Sequence, residues 1–118
     1  AYLVIQPTEA LTVVDVNTGK NVAKKEMQEN FLRVNKEAAA EIARQLRLRN
    51  LSGMILVDFI NLTSKSAEDE LLKTFRAALQ KDPVPAQLVD MTALGLVEVT
   101  RKKIKRPLHE IFPDGLGF

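Results

Sequence analysis

Two acidic residues set inside strand-like apolar runs are the part of this sequence best suited to chemistry. Asp15 interrupts Val13-Val14-Asp15-Val16, and Asp58 interrupts Leu56-Val57-Asp58-Phe59. An ionised carboxylate taken out of water without a partner is costly, so such positions are normally apolar. Both acids fall near the C-terminal ends of predicted strands, the edge of an open α/β sheet at which ligands collect. On neighbouring strands the two carboxylates would converge, and like charges a few ångströms apart require a cation between them. Two hard oxygen ligands, with water in the remaining positions, suit Mg²⁺ or Mn²⁺. Asn17 stands two residues beyond Asp15, so alternation puts it on the same face, where its amide could orient a water or a phosphate oxygen. The plainer reading is that each Asp caps a turn or pairs with an arginine. That reading suits one such residue; two in equivalent strand-end settings favour the cation.

The remaining polar groups carry less. Arg44, Arg47 and Arg49 gather where a long predicted helix ends, and cations there interact favourably with the negative helix terminus. Phosphate contact is the lesser reading of that cluster. Residues 101–106 read Arg-Lys-Lys-Ile-Lys-Arg, five basic positions of six, a solvated edge that could also hold a polyanion backbone. Gly19-Lys20 resembles the end of a phosphate loop, but the first glycine of that motif is missing. His109 sits alone in a proline-flanked segment. With no cysteine and no histidine beside a candidate serine, no nucleophile–base arrangement presents itself.

These acids need elements to position them. Tyr2–Ile5 reads as a strand stopped by Gln6-Pro7, and Leu11–Val16 as a second one joined too closely to do anything but pair as an antiparallel hairpin. Asn17-Thr18-Gly19-Lys20 is turn chemistry, followed by a polar loop to Lys25. From about Glu26 to Arg49 the apolar period becomes helical, with Met27, Phe31, Val34, Ala38, Ile42 and Leu46 on one stripe and Arg33, Lys36 and Glu37 in water. Asn50 is an acceptable stop. Met54–Ile60 is a near-continuous apolar run, as for a strand covered on both faces. Ser64 or Ser66 can cap a second helix to about Lys81 that buries Leu71, Leu72, Phe75, Ala78 and Leu79. Gln87–Met91 and Gly95–Thr100 read as the last two strands. The order β-β-α-β-α-β-β predicts a single α/β domain: a mixed sheet opening with an antiparallel hairpin, and helices packed on it.

Composition sets the outer limits. The 118 residues suit one domain, with 46% hydrophobic and 27% charged residues, which excludes a disordered or fibrous chain. No apolar run approaches the ~20 residues a bilayer needs, and no segment reads as a secretory signal. The absence of cysteine excludes a disulfide framework and fits a cytoplasmic location. A net charge of +2 does not by itself dictate a polyanionic partner.

The run Gln6-Pro7-Thr8-Glu9-Ala10-Leu11 through Val14-Asp15-Val16-Asn17-Thr18-Gly19 resembles the signature of the ribonuclease E/G family. The likeness continues through Asn35-Lys36-Glu37-Ala38-Ala39, Glu41-Ile42-Ala43-Arg44-Gln45-Leu46-Arg47-Leu48-Arg49-Asn50, Leu51–Ile60 and Gly95–Lys102. It implies that residues 1–106 are the DNase I-like catalytic subdomain of a larger endoribonuclease; residues 107–118, with Pro107, Pro113, Gly115 and Gly117, read as an irregular tail. In that family the strand-end aspartates hold a catalytic Mg²⁺ and the nearby asparagine assists, roles that map onto Asp15, Asp58 and Asn17. The implied reaction is hydrolysis of single-stranded RNA by a water that Mg²⁺ activates, leaving 5′-phosphate and 3′-hydroxyl ends in RNA processing and decay. Lys20, Arg44, Arg47, Arg101 and Lys102 become the candidate RNA contacts. Family enzymes also carry N-terminal RNA-binding, 5′-sensor and RNase H-like parts that this chain lacks. Many continue into a cysteine zinc link that can join protomers; here there is no cysteine, so a homo-oligomer would need another route. The chain alone is expected to cleave slowly or not at all. An alternative is a non-catalytic RNA-binding or assembly module on the same fold. A phosphoacceptor signalling domain fits poorly, because it needs more acids after its first strand and no opening hairpin.

Overall fold

The computed structural model describes residues 2–17 and 25–103, with the side chains of Tyr2, Asn17 and residues 25–28 left aside. Lys20, His109 and the expected tail 107–118 lie outside the described residues. β1 (Tyr2–Pro7) and β2 (Thr12–Asn17) form the predicted antiparallel hairpin, and Pro7 closes its ladder opposite Thr12. α1 (Lys25–Leu48), β3 (Gly53–Asp58), α2 (Lys65–Leu79), β4 (Ala86–Met91) and β5 (Val97–Arg101) follow in the predicted order.

The five strands lie in the order β1-β2-β3-β5-β4, with β2 parallel to β3 and every other neighbour antiparallel. β3 and β4 both oppose β5, so they run in the same direction. The crossovers β2–α1–β3 and β3–α2–β4 therefore step across the sheet in one direction. Such connections are right-handed almost without exception, which puts both helices on one face. The helices pack on each other and on Val14, Val16, Ile55, Val57, Leu88, Val97 and Val99.

The opposite face is uncovered among the described residues, which corrects the expectation for β3. Ile55 and Val57 are wholly buried, whereas Met54 is 38% exposed and Asp58 is exposed. The apolar run hides an ordinary alternation, and one face of it looks outward.

α1 needs a similar correction. Its buried stripe is Asn35, Ala38, Ala39, Ile42, Ala43 and Leu46, while Phe31 and Val34 are only half-buried. A 24-residue helix runs about 36 Å, and a six-residue strand about 20 Å. The first turns of α1 therefore overhang the sheet. Arg33 and Glu37 are exposed as predicted, and Lys36 reaches Glu70 of α2 at 2.6 Å. Asn50 stops the helix with φ +50°; the amides of Asn50 and Leu51 close back on the carbonyls of Arg47 and Leu46. Ser64 caps α2 by accepting from the Ala67 amide at 3.3 Å, and Phe75 packs edge-on against Phe59 with ring centroids 5.5 Å apart.

At the N-terminal edge of β3 a buried ion pair ties three connections together. Arg101 donates from Nε to Asp82 Oδ2 at 2.8 Å, and from Nη1 to Asn50 Oδ1 at 3.1 Å and the Leu51 carbonyl at 2.9 Å. The Arg101 and Asp82 side chains are 3% and 1% exposed. Burial pushes the Asp82 carboxyl up, but hydrogen bonds from Arg101 and the Val84 amide, with the charges of Arg101 and Arg47, hold it below its ordinary value. Asp82→Asn leaves a buried guanidinium without its counter-charge and is expected to cost about 3–5 kcal/mol in urea unfolding at pH 7. A depressed carboxyl contributes stability above its unfolded pKa, about 3.9, and loses it as pH falls through the folded value. The gap between wild type and Asp82→Asn should therefore narrow only below about pH 4. A gap that is absent at pH 7, or that opens on acidification, would contradict this account.

Candidate metal centre

Parallel pairing sets Asp15 directly across from Asp58 as Cα partners. Residues opposite one another on neighbouring strands share a face at a spacing of about 5 Å. That face is the one without helices, because Val14, Val16 and Val57 on either side of the acids point into the core. Both acids are exposed at the C-terminal ends of their strands. The Asp58 carboxyl is raised above its ordinary value, first by partial burial and then by the charge of Asp15. Two carboxylates that destabilise one another through their shared charge are suited to a hard divalent cation: its charge removes the repulsion, and water can complete its coordination. The donor set would suit Mg²⁺ or Mn²⁺, with Asp15 and Asp58 as the residues that would hold it. Among the described residues no group of three or more His, Cys, Asp or Glu gathers to hold a metal, so a cation here would have two protein carboxylates.

Asp58 is fixed from both sides. Before it, Val57 is locked in the ladder and the core; after it, Phe59 turns inward onto Phe75. The next residue is held by a buried amide. Asn35 of α1, wholly shielded from water, donates from Nδ2 to the Ile60 carbonyl at 2.8 Å and accepts the Ile60 amide on Oδ1 at 3.0 Å. One side chain thus takes both polar groups of a residue where strand pairing has ended. Nothing in the sequence marked Asn35 for this, since its position on the apolar stripe of α1 shows only once α1 is docked.

Glu98 is a further acid on the same face, opposite Leu56, and Asp90 lies across from Glu98. Glu98 takes this face by the plain alternation of β5, whereas Asp90 reaches it through the register shift between Leu88 and Asp90 in β4; the neighbourhood of both to Asp58 depends on β5 inserting between β3 and β4.

Among the described residues, the predicted basic contacts are not brought to the acids. β5 runs back from the Asp58 edge, so Arg101 pairs with Gly53 at the other end of β3, about 17 Å along the strand. Arg101 is also buried and bound to protein acceptors, which removes it as an RNA contact. Arg47 and Arg44 close α1 at that same remote edge; Arg44 is exposed and pairs with Glu41 at 3.1 Å, and the charge of Arg47 acts on Asp82. Lys102 is exposed just past β5, its amide donating to the Pro85 carbonyl. Backbone pairing sets Asn17 opposite Tyr2, two residues past Asp15.

Asn35→Ala should strand the Ile60 amide and carbonyl and cost about 2–3 kcal/mol. Hydrogen exchange at the Ile60 amide should accelerate more than exchange in β3 itself. Unchanged protection at Ile60 would show that Asn35 does not hold this segment.

No helix among the described residues is long and apolar enough to cross a membrane. The ribonuclease E/G family model matches residues 1–104. A ribonuclease E of Nostoc sp. is 48% identical over 113 residues, covering 96% of this chain and 16% of that protein. A ribonuclease E of Synechocystis sp. is 47% identical over 111 residues, again 16% of its length. A ribonuclease G of Escherichia coli is 42% identical over 110 residues, covering 93% of this chain and 22% of that protein. The chain thus spans only 16–22% of the length of these relatives. With the match running through both strand-end aspartates and every described strand and helix, this chain belongs to the ribonuclease E/G family.

Proposed function

We propose that this chain is the catalytic subdomain of a longer endoribonuclease, cutting phosphodiester bonds of single-stranded RNA at a divalent cation held by Asp15 and Asp58. The observation that carries this reading is the direct register of the two aspartates on the open face of the sheet. Bound there, Mg²⁺ or Mn²⁺ would supply positive charge for the phosphate and lower the pKa of an attacking water. The chain's own part is to hold the acids rigid. Asp15 is fixed by the β2 ladder, and Asp58 by β3 with the Phe59 and Asn35 anchors behind it. Their outward face leaves room for an extended strand of RNA. Asn17, two residues past Asp15, is the candidate for orienting a water or a phosphate oxygen. Any contact that Arg44 or Lys102 makes falls on backbone remote from the cut, since both lie at the far edge of the sheet.

Asp58→Asn keeps the size and one oxygen but removes a charge. In the full-length protein, cleavage of a short labelled single-stranded RNA with Mg²⁺ should fall at least about 100-fold, with RNA binding little changed. The same substitution relieves like-charge repulsion, so unfolding stability should hold or rise by up to ~1 kcal/mol. Near-normal cleavage by Asp58→Asn would overturn the assignment of the metal ligands. Titration of the 118-residue chain with Mn²⁺ by calorimetry separates a live cation site from a non-catalytic scaffold, which would bind none.

A further inference from the structure

Beside Asp58 lies a cavity of about 280 Å³, walled by Asp58 itself, Ile60, Asn61, Glu68, Met91 and Leu94. Chain direction assembles it. β3 and β4 end at the same edge, so the segment after Asp58 and the turn after Met91 face one another across the start of β5. The wall is of two kinds. Met91 and Ile60 are half-buried, and Leu94, 88% exposed, stands at the tip of the β4–β5 turn. Asn61 is exposed and Glu68 is half-buried, and both line the space.

The turn that carries Leu94 is built to hold it. The Thr92 hydroxyl accepts from the amides of Leu94 at 3.3 Å and Leu96 at 3.2 Å, and the Thr92 amide donates to the Leu96 carbonyl at 2.7 Å. Gly95 takes φ +85°, a backbone that side-chain-bearing residues rarely adopt. An apolar side chain is thus projected into water from a turn closed beneath it.

From this arrangement we infer that the cavity is a subsite for a nucleobase of single-stranded RNA, the base next to the phosphate at the Asp15–Asp58 pair. The inference rests on the proposed metal reading for its placement. Charge selects which part of a nucleotide fits. Asp58 and Glu68 repel a backbone phosphate, whereas a base is neutral and carries N–H donors on its edge. Leu94 and Met91 offer apolar surface to the base, and Asn61 and Glu68 offer acceptors to its edge. Bases of single-stranded RNA are free to splay into such a space, unlike bases stacked in a duplex.

The experiment uses the isotope-labelled 118-residue chain and two separate titrations followed by NMR. Mn²⁺ alone should broaden amides around Asp15 and Asp58, which tests the metal reading. Single-stranded pentaribonucleotides, added in EDTA, should shift the amides of Asn61, Leu94 and Gly95. Leu94→Ala should weaken pentamer binding about fivefold, at the lower end of what one base contact contributes, with an unchanged melting temperature because the side chain is exposed. Asn61→Ala should weaken it as well, independently of the turn. Pentamers that leave Asn61, Leu94 and Gly95 unmoved, together with unaltered affinity in Leu94→Ala, would overturn the subsite even where Mn²⁺ binds. Tripolyphosphate producing the same shifts would overturn it too, by showing a phosphate site. Shifts at the cavity without Mn²⁺ broadening would uphold the base pocket and count against the metal reading alone.

Discussion

Two carboxylates set side by side repel, and the parallel ladder between β2 and β3 is what keeps them there. Asp15 and Asp58 could each escape the other by a one-residue slip of register, because a slip sends alternate side chains to opposite faces. The slip is forbidden by what lies beside them. Val14 and Val16 in β2, with Ile55 and Val57 in β3, are buried under the helices, and the same slip would turn them out into water. The hydrophobic face thus holds the acidic face in a strained arrangement. A hydrophobic core suits this task, since it is non-directional yet strongly specifies which side of a strand faces inward.

The rest of the fold separates firmness from function along the strand axis. At the N-terminal edge of β3, Arg101 spends its donors on Asp82, Asn50 and Leu51, and Asn50 is also the left-handed stop of α1. At the C-terminal edge the groups are exposed, acidic and held from behind. Stability at one edge lets the other carry unpaired charge, as expected where a site departs from the rules that make the remaining sequence consistent.

The element order and the two aspartates were legible because each rests on local pattern. Strand runs, a helical stripe and an acid in an apolar run need no knowledge of the partner element. The faces were not legible in the same way. Met54–Phe59 reads as doubly buried until the crossovers are known to travel in one direction, and Phe31 reads as core until α1 is seen to outrun the sheet. Arg101 failed for a related reason. Within Arg101-Lys102-Lys103 all three cations look alike, and only strand alternation with a buried Asp82 distinguishes the one that turns inward. Asn35 and the cavity by Leu94 depend on contacts between segments distant along the chain, which no local spacing encodes.

The charge around the aspartates constrains how RNA could be recognised there. Asp15, Asp58, Glu98 and Asp90 share one face, Glu68 lies beside it, and Arg44, Arg47, Arg101 and Lys102 stand at the far edge. A polyanion meets repulsion on that face, so a cation bound there should strengthen the binding of RNA without being required for a base to enter the cavity. This arrangement divides the labour of recognition by chemistry. On the proposed reading a cation would answer the phosphate, where sequence information is absent, and the half-apolar, acceptor-lined cavity would answer the base. The acidic surround would then act as a filter, disfavouring phosphate except where a cation offsets its charge. On that reading, binding strength along the remainder of an RNA strand would come from surfaces remote from these acids.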